Sequence, residues 1–408
     1  MDATRAELEQ RYDELRAQKL SLDLTRGKPS PEQLDLSNAL LELPGVGDYR
    51  DASGTDLRNY GGPDGLPELR AIFGELLEIP TAQLLALGNA SLSTMHDVVV
   101  HALLHGVPGG SGPWRDVENL AVLCPVPGYD RHFAICEAFG IRMIPVPFVD
   151  GRLDLETIRR LVAEDSGIRG MWCVPMYSNP TGIVYTVEET EALVGMEAAA
   201  VDFRLFWDNA YAVHHLTDDE PPVIDVLSAA ARAGHPDRPL VFASTSKITY
   251  PGSGVAFFGA SPNNVAWFRQ RSSVQTIGPD KLNQLRHLRL LRSTDGVRRH
   301  MSAHRAIIEP RFAAVLEILE RRLSGVATWS RPTGGYFVSL DVPKGTASRA
   351  IALAGEIGVA VTPAGSTYPY RDDPDDANIR IAPTFPSQTE LEAAIDALCT
   401  CVLLAAAA

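Results

Sequence analysis

Between residues 84 and 260 the chain alternates short apolar runs with stretches of helical periodicity, and this alternation is what most constrains the fold. The apolar runs are Leu84–Leu87, Leu120–Cys124, Ile141–Val146, Met171–Val174, Phe203–Trp207, Leu240–Ala243 and Val255–Gly259. Between them lie helix-like segments: Thr94–Leu104, Asp130–Phe139, Leu155–Ala163, Val187–Ala199 and Trp267–Val274. Strands that alternate with helices predict an α/β fold, a mostly parallel sheet with helices on both faces. Such sheets bind ligands at the carboxyl ends of their strands. Beyond about residue 300 the pattern changes to a long helix (Ala303–Leu323), a segment Gly334–Leu340, a helix near Ala347–Glu356 and a strand Ile379–Ala382. That predicts a smaller α+β domain, with the polar helix Asp2–Leu20 packing against it. The apolar run Leu398–Ala408 is too short to span a bilayer and reads as a docked final helix.

Four polar clusters follow predicted strands. After Leu87 comes Gly88-Asn89-Ala90-Ser91-Leu92-Ser93-Thr94 and then a helix, whose free N–H groups and positive dipole end suit an anion. Simple N-capping would explain that cluster alone. After Val174 comes Ser178-Asn179-Pro180-Thr181-Gly182, by itself an ordinary turn. After Trp207 comes Asp208-Asn209-Ala210-Tyr211, and after Ala243 comes Ser244-Thr245-Ser246-Lys247. The chain holds only five lysines (Lys19, Lys28, Lys247, Lys281 and Lys344), so one at a strand end stands out. Burial there lowers an amine's pKa and suits imine or base chemistry. Together the clusters put an anion cradle, an amide, a carboxylate with a phenol and an amine on one sheet edge, matching the needs of a phosphorylated pyridine aldehyde.

Composition removes other classes. With 37 Lys+Arg against 51 Asp+Glu the net charge is −14, which disfavours binding to nucleic acid or to a membrane surface. The five cysteines, Cys124, Cys136, Cys173, Cys399 and Cys401, show neither a disulfide framework nor zinc spacing, and read as reduced core thiols of a cytoplasmic protein. Met1 to Gln18 lacks the apolar stretch of a signal peptide. His101 and His105 stand at i, i+4, with His96 on the same predicted helix, but no acidic third ligand accompanies them, so packing explains them and no metal is expected.

From about Leu22 to its C-terminus the chain resembles the fold-type I pyridoxal-phosphate aminotransferases. The motifs that carry this are Tyr60 with Gly61-Gly62, Ser178-Asn179-Pro180-Thr181-Gly182, Asp208-x-x-Tyr211, Ser244-x-x-Lys247 and Arg380-Ile381-Ala382. The stretches TRGKPS, NYGGPDGLPELR, CPVPGYDRHF and TSKITYPGSGVAFF are similar to the type Ic aspartate aminotransferase subgroup, also called MocR-like. The resemblance implies an N-terminal arm and part of the small domain in residues 1–50, a large cofactor-binding domain in 51–295 and a small domain in 296–408.

It also implies roles. Lys247 joins the aldehyde of pyridoxal 5'-phosphate and then moves the substrate proton. Asp208 faces the ring nitrogen, Asn179 and Tyr211 hold the ring 3-oxygen, and Ser91, Leu92, Ser93, Ser244 and Ser246 receive the phosphate. Tyr60 reaches the phosphate of a neighbouring subunit, implying a homodimer with shared sites, and the loop Thr276–Asn283 lies near that boundary. Arg380 binds the substrate α-carboxylate, Gly27 lies in the loop that closes over substrate, and Tyr129 or Pro127 fills the aromatic slot on the ring. Two departures stand out. Gly252-Ser253-Gly254-Val255-Ala256 lacks the family's phosphate arginine, and the reader of a side-chain carboxylate has no match, leaving Arg26, Lys28, Arg269, Arg271 and Lys281 as candidates.

The implied function is a ping-pong aminotransferase acting on an L-amino acid, aspartate-like first, and a 2-oxo acid such as 2-oxoglutarate. Aromatic or 2-aminoadipate-type substrates, and a β-lyase or decarboxylase on the same scaffold, are alternatives. A regulator reading would need a DNA-binding domain, and only about twenty residues precede LTRGKPS.

Overall fold

The computed structural model describes residues 4–25 and 27–407; Met1, Asp2, Ala3, Arg26 and Ala408 lie outside the described residues. Among the described residues thirteen strands run in chain order: β1 (Leu22–Asp23), β2 (Leu84–Ala86), β3 (Ala121–Val126), β4 (Arg142–Val149), β5 (Arg152–Leu153), β6 (Ile168–Cys173), β7 (Arg204–Asp208), β8 (Pro239–Ser244), β9 (Ala256–Ala260), β10 (Thr328–Trp329), β11 (Val338–Asp341), β12 (Val359–Ala360) and β13 (Asn378–Ile381). Each of the seven apolar runs is a strand, and eight strands form one sheet in the order β2-β9-β8-β7-β6-β3-β4-β5. The pairs β3/β4, β3/β6, β6/β7 and β7/β8 are parallel. Strand β9 is antiparallel to both β8 and β2, and β5 is antiparallel to β4. Because β9 reverses twice, β2 runs in the same direction as β8, so the chain leaves β2, β6, β7 and β8 at one edge. Strands β3, β7 and β9 are buried at every position, as a sheet covered on both faces requires, whereas β4, near the sheet's edge, alternates between exposed and buried residues.

The remaining strands form two small sheets. Strands β10-β11-β13 form an antiparallel sheet and β1 pairs in parallel with β12. The helix Arg5–Ala17 opens on a capping box between Thr4 and Glu7, and its Tyr12 hydroxyl donates to Glu356 at 2.9 Å and to the Leu353 carbonyl at 3.2 Å. The final helix Gln388–Ala406 buries Leu391, Ala394, Ile395 and Ala397–Val402 in the same core as Leu319 and Leu353. Among the described residues no helix is long and apolar enough to cross a membrane.

Two boundaries are corrected. The long helix starts at Thr294 rather than Ala303: Ser293 caps it by accepting from the Gly296 N–H, while Arg298, Arg299 and His300 hide the apolar period of its first turns. It spans both cores, with Val297 and Met301 in one and Ile308 and Phe312 in the other. The loop expected over Thr276–Asn283 ends at Asp280, whose carboxylate caps a helix Lys281–Leu291 by accepting from the Asn283 N–H.

Candidate active site

The four polar clusters converge where the chain leaves β2, β6, β7 and β8. Strand β7 ends on Asp208, which is 3% exposed. Its Oδ2 accepts from His132 Nε2 at 3.0 Å, and its Oδ1 is buried with no partner among the described residues. His132 comes from the helix Asp130–Ala138 and stacks flat on Trp172 of β6, ring centroids 4.2 Å apart. This packing aims the imidazole at the carboxylate. The sequence reading did not single out His132; the signal available was a histidine three residues after Tyr129 in CPVPGYDRHF.

Lys247 follows β8. Its Nζ lies 4.9 Å from the centre of the Tyr211 ring, and no hydrogen bond to it is present among the described residues. Burial lowers its pKa below the ordinary lysine range, and the Asp208 charge opposes that shift. Burial pushes the Tyr211 phenol well above its usual value, so it stays a donor. The Lys247 carbonyl is fixed from behind, by Tyr336 Oη at 3.3 Å and His214 Nε2 at 3.4 Å.

A cavity of about 480 Å³ opens beside Lys247 and Tyr211; its wall also includes Asn179, Tyr129 and Arg380, while Asp208 and His132 lie behind it. Arg380 projects from β13, 8% exposed, over the Phe337 ring at 5.0 Å. It donates through Nη1 to Asp130 Oδ1 at 2.9 Å and to Asn179 Oδ1 at 3.4 Å, and through Nη2 to Thr362 Oγ1 at 3.4 Å. Gly27 also lines the cavity, and a Cβ there would come within 2.3 Å of the Phe337 ring, so glycine is needed for this close approach. Of the two alternatives for the aromatic slot, Tyr129 lines the cavity and Pro127 does not.

The hydroxyls expected to receive a phosphate come from two clusters. The helix Ser91–His105 has Ala90 at its N-cap and no side chain capping it, so the N-capping explanation fails. Ser246 N–H and Oγ both engage Ser244 Oγ. A Cβ on Gly254 would sit 3.1 Å from the Asn89 carbonyl and 3.4 Å from Ser246 N, which brings the first and fourth clusters side by side. Ser244 and Ser246 thus sit near the segment that leads into Ser91, Leu92 and Ser93, and none of the five lines the main cavity. Tyr60 lies elsewhere. It is 83% exposed and borders, with Gly61 and residues 275–282, a separate concavity of about 690 Å³. Lys281 Nζ ties the two segments by donating to the Asn59 and Gly61 carbonyls.

Of the cations left open for a substrate side chain, four lie among the described residues, and of these four Lys28 alone lines the cavity, its Nζ 3.7 Å from the centre of the Phe385 ring. Arg269 is held by both oxygens of Asp64, Lys281 is used as described, Arg271 is absent from the wall, and Arg26 lies outside the described residues. Arg131, unremarked in the sequence, joins Lys28 on the wall. His101 packs edge-on to Trp267 and Phe268, as expected of a packing residue.

The donor set fits pyridoxal 5'-phosphate: a buried carboxylate oxygen without a partner for a ring N–H, a buried amine for an aldehyde, and an uncapped helix end with clustered hydroxyls for a phosphate. The profile of the family described as aspartate amino-transferase matches residues 1–408. An aspartate aminotransferase of Corynebacterium glutamicum is 50% identical over 403 residues, 98% of this chain and 93% of that protein. The crystal structure of an aspartate transaminase from the same species superposes with a TM-score of 0.97 at 49% identity, covering 99% of this chain and 95% of that one. LysN, an α-aminoadipate aminotransferase of Thermus thermophilus solved with N-(5'-phosphopyridoxyl)-L-leucine, shares the fold with a TM-score of 0.75 at 21% identity, over 96% and 94% of the two chains. The chain belongs to the aspartate aminotransferase family and is a pyridoxal-phosphate-dependent transaminase of fold type I.

Proposed function

We propose that this transaminase takes an aspartate-like L-amino acid as donor and a 2-oxo acid such as 2-oxoglutarate as acceptor, in two half-reactions at one site. The observation that carries the reading is the pairing, across adjacent strands β7 and β8, of an unpartnered Asp208 oxygen with a desolvated Lys247 amine, in reach of a cavity that also holds Arg380. Bound there, pyridoxal phosphate supplies an electron sink, its protonated ring taking up the electron pair released at the substrate Cα.

Each residue has a task of its own. Asp208 Oδ1 holds the proton on the ring nitrogen, and the His132 N–H keeps the carboxylate turned toward it. Lys247 Nζ, with its lowered pKa, would accept the Cα proton and deliver it to the cofactor's aldehyde carbon, two bonds away. Tyr211 and Asn179 donate to the ring oxygen, and Tyr129 covers the ring face. Ser91, Ser93, Ser244 and Ser246, with the Leu92 backbone, bind the phosphate, and the helix dipole offsets charge that an arginine usually meets. Arg380 receives the α-carboxylate through its planar fork. Lys28 and Arg131, cations on the wall with no carboxylate partner among the described residues, read the distal carboxylate.

Tyr60 reaches the phosphate of a second copy of the chain, so the active form is a homodimer. Exposed Tyr60 and Ile277 (63%) on the separate concavity, with exposed Val274 (92%) next to it in the chain, support this. We further propose the division 1–50, 51–295 and 296–408, the type Ic subgroup on the stretches quoted above, and a cytoplasmic enzyme, since all five cysteines are buried and unbridged.

The test is a half-reaction screen of the yellow holoenzyme against the twenty amino acids. Aspartate and glutamate should bleach the visible band fastest and yield 2-oxo acids; release of pyruvate and a β-leaving group would instead establish the lyase alternative. Lys247→Ala should lose the band's response and about 10⁴-fold in turnover, and undiminished turnover would end the reading. Lys28→Ala should raise KM for aspartate about tenfold and leave that for alanine unchanged; an equal change for both would remove Lys28 from side-chain recognition.

A further inference from the structure

We propose that Asp130 is a resident competitor for the substrate α-carboxylate: it occupies Arg380 between ligands and sets how tightly carboxylates bind. The inference rests on the reading of Arg380 given above and adds a residue that weakens binding rather than making it.

The Asp130–Arg380 pair lacks the two-pronged form that three other arginine–aspartate pairs of this protein take. Arg269–Asp64 (2.6 and 2.7 Å), Arg289–Asp48 (2.7 and 2.8 Å) and Arg58–Asp56 (2.9 and 2.6 Å) each use Nε and Nη2 on both carboxylate oxygens. That two-pronged geometry is the strong form of the pair. Asp130 makes one bond, at 2.9 Å, to Nη1 alone. Arg380 Nε has no partner, and Nη2 has only a 3.4 Å contact with Thr362. The guanidinium therefore keeps most of its binding capacity, and the bond to Asp130 is the kind a better-placed carboxylate can replace.

Asp130 is also placed to leave. It is the first residue of the helix Asp130–Ala138, yet its carboxylate caps nothing, and its side chain is 34% exposed against 8% for Arg380. Both residues line the cavity, so the pair sits within the proposed ligand space. Released from Arg380, the carboxylate turns to water at a helix N-terminus, where the dipole favours negative charge. Arg380 does not depend on Asp130 for its orientation, since Asn179, Thr362 and the Phe337 ring also hold it. The dominant effect of Asp130 is then its charge, which opposes every incoming carboxylate and speeds the departure of the product acid.

The experiment uses the holoenzyme and a non-reacting dicarboxylate, maleate, with its dissociation constant read from the visible absorbance. Asp130→Asn keeps an acceptor for Nη1 and removes the charge. Maleate should bind about tenfold more tightly (about 1.4 kcal/mol), and Asp130→Glu should restore the wild-type value to within threefold. The half-reaction of a primary amine without a carboxylate should be unmoved. Affinity unchanged within twofold, affinity weakened, or an equal effect on the amine would each overturn the proposal. Arg380→Ala tests the underlying reading separately. A loss of 100-fold or more in maleate affinity sustains it, whereas no loss would overturn both.

Discussion

Strand β7 carries a buried aspartate near each end, and the two are treated differently. Asp202, just before the strand and 1% exposed, has both oxygens engaged: Trp114 Nε1 donates to Oδ2 at 2.9 Å, and Arg169 forms an ion pair with Oδ1. Asp208, the last residue of the strand and 3% exposed, has one oxygen on His132 and the other on nothing. An unpaired buried acceptor costs about 1–3 kcal/mol. A fold that saturates one end of a strand and leaves the other open has kept the open valence for a ligand. The same end gathers Lys247, whose amine is desolvated, and the helix Ser91–His105, which has no side-chain cap.

Substituting both aspartates by their isosteres would break this comparison most directly. Asp208→Asn should cost about 10²–10⁴ in turnover, because the ring proton loses its counter-charge, while the urea midpoint of the cofactor-free protein stays the same or rises. Asp202→Asn should do the reverse. It leaves the Arg169 guanidinium buried without its charge partner, which costs about 3–5 kcal/mol of stability, and activity per folded molecule stays at the wild-type level. Single-turnover rates and urea titrations on both variants decide the matter. Equal stability losses would mean that Asp208 is structural too.

The same contrast explains what was legible in the sequence. Asp208, Tyr211, Asn179 and Lys247 could be read because each follows an apolar run, and a strand end fixes direction whatever the tertiary context. Rarity of lysine narrowed the amine to one residue. His132 was not legible: its partner lies 76 residues away, and inside CPVPGYDRHF it reads as one face of a helix. Asp130 was not legible for the same reason: it opens the segment Asp130–Phe139, and its partner Arg380 lies 250 residues away. The direction of β9 was hidden because an apolar run has no polarity, although the eleven residues between Ser244 and Ala256 are short for a helical crossover. The first turns of the long helix were hidden by charge, and the choice among distal cations depended on which were already paired.

A third region, the wall behind Lys247, sharpens the comparison at smaller magnitude. His287 and His304 are buried with both ring nitrogens engaged, as Asp202 is. His287 faces the Asn283 carbonyl at 2.8 Å and Thr249 Oγ1 at 2.9 Å, and His304 meets Gln33 Nε2 at 3.0 Å and His300 at 3.3 Å. Burial lowers each to about 4 from the ordinary 6.5. His214, behind the Lys247 carbonyl, has Nδ1 unpartnered and is lowered to about 3. In all three the folded pKa lies below the unfolded one. The unfolded chain therefore binds more protons as pH falls through 6.5, and the stability these groups contribute is complete above 6.5 and lost below it, down to about 4 for His287 and His304 and about 3 for His214. The loss approaches about 1.4 kcal/mol per pH unit for each histidine. Urea midpoints should fall steeply between pH 6.5 and 5, and His304→Gln should flatten that slope by about one proton. Equal midpoints at pH 7.5 and pH 5 would show that these imidazoles are protonated within the fold, and that saturation by protein partners does not hold a buried group in one charge state.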